Sequence, residues 1–191
     1  MLGFDDPLTE ERHWFEVLTG CRGKIPVQVV DRIAELGGET RLARLLHSSK
    51  PDHRERATAA LWVMWYRAAG ADAERELDEA VAQMEQRQFN AAVQQLSKLI
   101  EERPEFAEAW NKRATAYFLM GRYAEAASDC RRTLLLNRIH FGAWYGLGLC
   151  LLKLADYSEA RNAFRQALAI HPFEEGSRRA LAICESRTEG P

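Results

Sequence analysis

AEAWNKRATAYFLMGRYAEAASDCRRTLLLN, residues Ala107 to Asn137, is the stretch whose spacing decides the fold. Trp110 is followed by Tyr117, then by Gly121, Tyr123 and Ala126 at short intervals. A step of 34 residues forward sets Trp110 on Trp144, Ala109 on Ala143, Tyr123 on Tyr157, Ala126 on Ala160 and Leu136 on Ile170. The same step backward sets Ala114 on Ala80, Tyr123 on Phe89, Ala126 on Ala92 and Cys130 on Leu96, while Pro104 and Pro172 stand two periods apart. Self-similarity at a fixed period of this length is the signature of a stacked repeat. It divides the chain into units at 73–106, 107–140 and 141–174.

Each unit reads as two helices. In the third, Trp144, Leu147, Gly148 and Leu151 fall at i, i+3, i+4 and i+7, one face of a helix. A turn is expected at Ala155-Asp156, after which Ala160, Phe164 and Ala167 share a face of the second helix. Pro172 ends it, because proline cannot continue a helix interior. Small residues at Gly148 and Ala160 would let the two helices approach closely.

The period, together with W-x2-L-G-x2-[YL]…G-x-Y-x2-A…[FC]-x2-A…P, resembles the tetratricopeptide repeat over residues 73–174. The third unit follows the pattern almost throughout. The second departs at Arg113, where Leu is usual, and at Arg138, where Pro is usual; the first carries Glu76, Glu79 and Gln83 at positions normally apolar. The resemblance implies an all-α, right-handed solenoid of helical hairpins. In that frame Trp110, Ala114, Tyr117 and Tyr123 are packing residues, and one unit alone could not bury its apolar face.

Two segments flank the repeats. Residues 175–191 carry Ala180, Leu181, Ile183 and Cys184 as an apolar stripe, which suits a capping helix followed by a tail. Residues 1–71 read as a helical extension. Asp6-Pro7 is a helix start, a second helix runs from Pro26 to Gly37-Gly38, a short one covers about 40–47, and a longer one runs from Pro51 to about 69. Residues 39–72 are also read as a degenerate repeat. Trp62, Trp65 and Tyr66 are too many large apolar groups for an exposed helix. They are expected to meet the first unit, whose apolar residues Leu77, Ala80, Val81 and Met84 are rotated by one residue from the usual face.

The resemblance implies binding rather than catalysis, at a concave face made chiefly by the first helix of each unit. By repeat position the groove residues are Glu108, Asn111, Lys112, Thr115, Phe118 and Leu119 in the second unit. In the third they are Gly142, Tyr145, Gly146, Leu149, Leu152 and Lys153; in the first, Glu74 and Asp78. Gly142 and Gly146 share a helical face, as a thin floor for a ligand or as a close contact with the protein's own helices. WNKRATAYFLMGRYAEAASDC is similar to co-chaperones whose clamp of Lys, Asn and Arg holds the C-terminal carboxylate of chaperones. The clamp does not carry over: Lys112 replaces its central Asn, Gly142 and Gly146 replace Lys and Arg, and Leu77 and Val81 replace the first pair. The mixed groove suits an amphipathic helix or an extended apolar segment, and it also suits occupancy by the protein's own Trp-rich N-terminal helix. The run from Trp110 to Pro172 also resembles small bacterial and plant-organelle tetratricopeptide proteins.

Composition narrows the alternatives. A net charge of −2 without a basic stripe disfavours nucleic acid, and an RNA-binding helical repeat ranks last. Cys21, Cys130, Cys150 and Cys184 lack CxxC spacing and read as small apolar residues, so no metal or cofactor is expected. His13, His47, His53, His140 and His171 are dispersed. GCRGKIP, from Gly20 to Pro26, lacks phosphate-loop spacing and reads as a helix–helix loop with Arg22 and Lys24 solvated. The expectation is a non-catalytic adaptor or assembly factor for a protein or peptide partner, with a permanent subunit of a larger complex as the alternative. No apolar run is long enough to span a membrane. The reading is a soluble chain of the cytoplasm, or of a plastid or mitochondrion interior if a transit segment has been removed. The open end of the array leaves self-association available.

Overall fold

The computed structural model describes residues 6–21 and 23–188. Among them the chain forms eleven α-helices and no strand. Two compact units part between Tyr66 and Arg67. The expectation for Arg22 and those for the two extreme ends lie outside the described residues.

The first unit holds α1 (Pro7–Gly20), α2 (Val27–Glu35), α3 (Glu39–Leu45) and α4 (Pro51–Arg67), the last residue of α4 falling past the division. The Asp6 carboxylate accepts from the N–H groups of Leu8 (2.7 Å) and Thr9 (3.1 Å), satisfying donors that the first helical turn leaves unpaired. Arg32 on α2 donates to both oxygens of Glu10 on α1, at 2.6 and 2.9 Å. A Cβ on Gly38 would stand 2.5 Å from Ile33 Cγ2 and 2.9 Å from the Ile33 carbonyl, so α2 and α3 meet where only glycine fits. Phe15, Leu18, Ile33, Leu42 and Leu61 form the interior. The Trp65 indole N–H donates to Glu39, and Trp62 meets Trp65 edge to face at 5.5 Å.

The second unit holds α5 (Ala71–Glu85), α6 (Phe89–Glu102), α7 (Ala107–Leu119), α8 (Tyr123–Leu136), α9 (Phe141–Lys153), α10 (Tyr157–Ile170) and α11 (Glu175–Thr188). The repeat is visible in its backbone. The turn inside each hairpin places one residue in the left-handed region, 34 apart: Arg87 (φ 60°), Gly121 (φ 77°) and Ala155 (φ 61°). Each closes the same C-terminal motif. For α7 the N–H of Arg122 reaches the Tyr117 carbonyl at 2.9 Å and that of Gly121 reaches Phe118 at 3.0 Å. A second mark recurs at the hairpin junctions. Trp110 Nε1 donates to the Pro104 carbonyl and Trp144 Nε1 to that of Arg138, both at 3.0 Å. Arg178, at the equivalent place in α11, donates to the Pro172 carbonyl at 3.0 Å. The last helix is thus the first half of a fourth hairpin, which lets it cover α9 and α10.

Packing follows from small residues facing large ones. A Cβ on Gly148 would stand 2.5 Å from the Phe164 ring, whose residue is fully buried. Ala126, Ala127, Ala143, Ala160 and Ala163 join that core. In α11, Ala180 and Cys184 are buried as expected, but Ile183 is 49% exposed. Every helix from α5 onward packs on the next, and further contacts join α5 to α7, α7 to α9 and α9 to α11. No comparable contacts join α6, α8 and α10. The first helices of the hairpins are therefore the closer-set row, which makes theirs the inner face and leaves creases between the outer helices.

Candidate functional site: the inner face of the helical array

Glu76, Glu79, Gln83 and Arg113, polar where the repeat pattern is usually apolar, have local partners. In the first hairpin Gln95 bridges the helices: its amide donates to Glu79 (2.8 Å) and to the Glu76 carbonyl (3.1 Å), and its oxygen accepts from Gln83 (2.9 Å). In the second hairpin Arg113 donates to both carboxylate oxygens of Asp129 (2.7 and 2.9 Å) and to Ser97 Oγ (2.9 Å). Its guanidinium lies 4.8 Å from the Trp110 ring centre. Asp129 is 4% exposed, so this bidentate pair neutralises an interior charge.

A further network lies where α7 meets α9. Glu108 and His140 are both fully buried, and His140 Nε2 stands 2.9 Å from Glu108 Oε2. His140 Nδ1 accepts the Ala143 N–H at 3.0 Å, capping α9. Since Nδ1 accepts, the ring proton resides on Nε2 and is donated to the carboxylate. Lys112 Nζ approaches Glu108 Oε1 at 3.0 Å, and Asn111 donates to Oε2 at 3.2 Å. Burial opposes ionisation of Glu108, but the His140 hydrogen bond and the Lys112 ammonium outweigh it and hold the pKa below the ordinary glutamate value.

These partners revise the groove expected from repeat position. Glu108 and Asn111 are buried, not groove-lining, because the carboxylate is claimed by His140 and the amide by that carboxylate. Lys112 is half-buried and ion-paired. Gly146 faces α8: an added Cβ would lie 3.3 Å from Cys130 Sγ, which selects the helix-contact reading of that glycine over a ligand floor. Gly142 is half-buried. In the first hairpin Glu74 is paired with Arg67 at 2.6 Å and Asp78 is exposed.

What remains on the inner helices is mostly apolar. Phe118, Tyr145, Leu149 and Leu152 are half-buried against the core, and Leu119 is 53% exposed. Thr115 and Lys153 are exposed beside them. Phe118 rests edge to face on Tyr123 at 5.3 Å. Burial and the Glu174 charge raise the Tyr145 pKa, so its hydroxyl stays protonated. Among the described residues no cluster of three or more His, Cys, Asp or Glu side chains could hold a metal, and no helix is long and apolar enough to cross a membrane.

Comparison with known proteins fits this geometry. The family described as "Anaphase-promoting complex, cyclosome, subunit 3" matches residues 77–167. A TPR repeat-containing protein of Rhizobium etli is 26% identical over 168 residues, covering 86% of this chain and 82% of its own length. The human Protein SGT1 homolog is 30% identical over 76 residues, which are 40% of this chain and 21% of the relative. Among solved structures, the first TPR of Spaghetti (RPAP3) bound to HSP90 peptide SRMEEVD superposes with a TM-score of 0.61 at 22% identity, covering 62% of this chain and 94% of that one. The Sgt2 TPR domain from Aspergillus fumigatus gives 0.59 at 22% identity, covering 62% and 80%. With its 34-residue period, its recurring left-handed turn and these likenesses, the chain has the tetratricopeptide-repeat fold.

Proposed function

We propose that the chain is a non-catalytic adaptor whose inner face, on α7, α9 and α11, holds a peptide or helix of a partner protein. The observation that carries this reading is the row of Phe118, Leu119, Tyr145, Leu149 and Leu152, left half-buried or exposed on helices whose other faces are packed. Apolar surface of this kind on a soluble protein marks a contact site. Solved tetratricopeptide domains of the same fold carry HSP90 and HSP70 peptides on record, which supports a peptide as the class of ligand. The ligand chemistry differs here. Lys112 is neutralised by Glu108, and Gly142 and Gly146 supply no cation, so an acidic C-terminal tail finds little to hold it. An amphipathic helix or an extended apolar segment fits better. The Glu108–His140 pair, an acid–base couple of catalytic type, is fully buried and so closed to a substrate, which favours binding over catalysis.

A second reading, a fixed subunit of a large assembly, draws on the match to a family named for a subunit of the anaphase-promoting complex. Affinity capture from the source organism separates the two. Leu119→Glu and Tyr145→Ala should each reduce recovery of the partner at least tenfold while the helical signal is kept. Full recovery with both variants folded would end the inner-face assignment. Lys112→Glu is a poor probe, because it sets a second carboxylate against the buried Glu108.

A further inference from the structure

On the outer side, the crease between α8 and α10 has Trp144 and Leu147 of α9 as its floor and Leu134 and Leu135 of α8 along one wall. Arg131 and Arg138 line it too, and Glu159 and Gln166 form the opposite wall. The preceding crease, between α6 and α8, is an internal control, because the repeat gives each position a counterpart. There Arg113 crosses the gap to Asp129 and Ser97, and Arg132 lies over Trp110 at 5.7 Å. One period later Leu147 replaces Arg113, Ala163 replaces Asp129, Arg131 replaces Ser97 and Gln166 replaces Arg132. The bridging cation and its carboxylate are both gone, and a cation stands where the serine was.

We propose that this outer crease is a docking site for a protein segment that carries a large apolar side chain flanked by carboxylates. Leu135 is 71% exposed at a position where the preceding repeat has Glu101 and the following one Ala169. Arg131 and Leu135 fall at i and i+4 on α8, and Arg138 follows in the turn after that helix, so two guanidiniums line the crease beside one exposed leucine. Both arginines are exposed, and no carboxylate among the described residues pairs with either. Among the described residues Glu159 is the only acid lining the crease, and it lies on the far wall. Guanidinium groups take carboxylates in bidentate fashion, and two of them beside an apolar slot select an acidic, not a basic, partner. The surface opens on the outer side of the array and shares none of the residues of the inner row, so it stands or falls separately from the inner face.

The test uses the full chain and a phage-displayed library of random peptides. Selected peptides should combine Asp or Glu with Leu, Phe or Trp, and their affinity should fall as salt is raised. Two variants then read the site. Arg131→Glu with Arg138→Glu reverses exposed charge only. Arg131→Ser with Leu147→Arg and Ala163→Asp installs the filling of the preceding crease. Both should bind the selected peptides at least tenfold more weakly, with Leu119→Glu unchanged; if the transplant does not fold, the charge reversal decides alone. Binding within twofold of wild type after charge reversal, selected peptides without acidic residues, no enrichment at all, or loss only with Leu119→Glu would each overturn the proposal. So would a wild-type dimer in sedimentation that the charge reversal splits, since the crease would then belong to a second copy of the chain.

Discussion

Gly146 and Gly148 lie one residue apart on α9, and the structure predicts opposite signs for the same substitution at each. A Cβ at Gly148 would meet three atoms of the Phe164 ring at 2.5, 2.7 and 2.7 Å. Carbon atoms prefer about 3.5–4.0 Å, so the overlap is roughly 1 Å, against a ring that is fully buried and has nowhere to turn. Overpacking of this kind costs about 1–3 kcal/mol, and this overlap belongs at the upper end. Alanine recovers about 1 kcal/mol of helix propensity. Gly148→Ala should therefore destabilise by roughly 1–2 kcal/mol. At Gly146 the Cβ would lie 3.3 Å from one Cys130 sulfur, a contact that a shift of a few tenths of an ångström relieves. There the propensity gain wins, and Gly146→Ala should stabilise by about 0.5 kcal/mol. Urea unfolding followed by far-UV circular dichroism resolves both. Gly148→Ala as stable as wild type, or both variants shifted in the same direction, would refute the described approach of α9 to α10 and α8.

Other outcomes follow from the buried charges and thiols. Arg113→Leu, which restores the residue usual at that position, should destabilise by about 3–5 kcal/mol because Asp129 is left buried and unpaired. Adding Asp129→Ala, the pairing that the next repeat uses, should recover most of that loss in the same unfolding assay. His140→Ala removes both the α9 cap and the donor to Glu108, and a loss of about 3 kcal/mol is expected. Because folding lowers the Glu108 pKa, its stabilisation is complete above the ordinary glutamate range and is lost as pH falls through and below it. Unfolding measured between neutral and acid pH should show a shallower acid decline for Glu108→Gln. Cys21 is half-buried while Cys130, Cys150 and Cys184 are buried, and the hydrogen bond with the neighbouring Cys150 thiol, together with burial, holds Cys130 well above the ordinary thiol pKa. A thiol reagent should modify Cys21 promptly in the native protein and the other three only on unfolding; prompt reaction of Cys130 would contradict the packing.

The hairpins were legible in the sequence because a 34-residue period repeats the same packing task. Trp110 and Trp144, Ala126 and Ala160, Gly121 and Ala155 each recur at equivalent places for that reason. The helix starts at Asp6 and Pro51 were legible because capping is a local matter. The inner face was only half legible. Repeat position identifies which residues point inward but not which of them another side chain will claim. Glu108 and His140 are 32 residues apart, off the period, and nothing in the spacing links them. The one available signal was a histidine set directly before a helix start, where a side-chain acceptor caps the backbone. Arg113 and Asp129 pair across a hairpin and show in sequence only as a departure from the pattern. The same departures hid the outer crease, which appears when one repeat is laid over the next and the filling residues are found changed.

The central claim, that the inner helices carry the partner, is tested most directly by site-specific photocrosslinking in the source organism. A photoreactive residue is placed in turn at Leu119, Thr115 and Lys153 on the inner face and at Gln94 and Ser158 on the outer helices, all exposed. One protein crosslinked from the three inner positions, absent from the two outer ones and lost with Tyr145→Ala, is the predicted result. Crosslinks confined to the outer positions, with the inner ones silent, would contradict it.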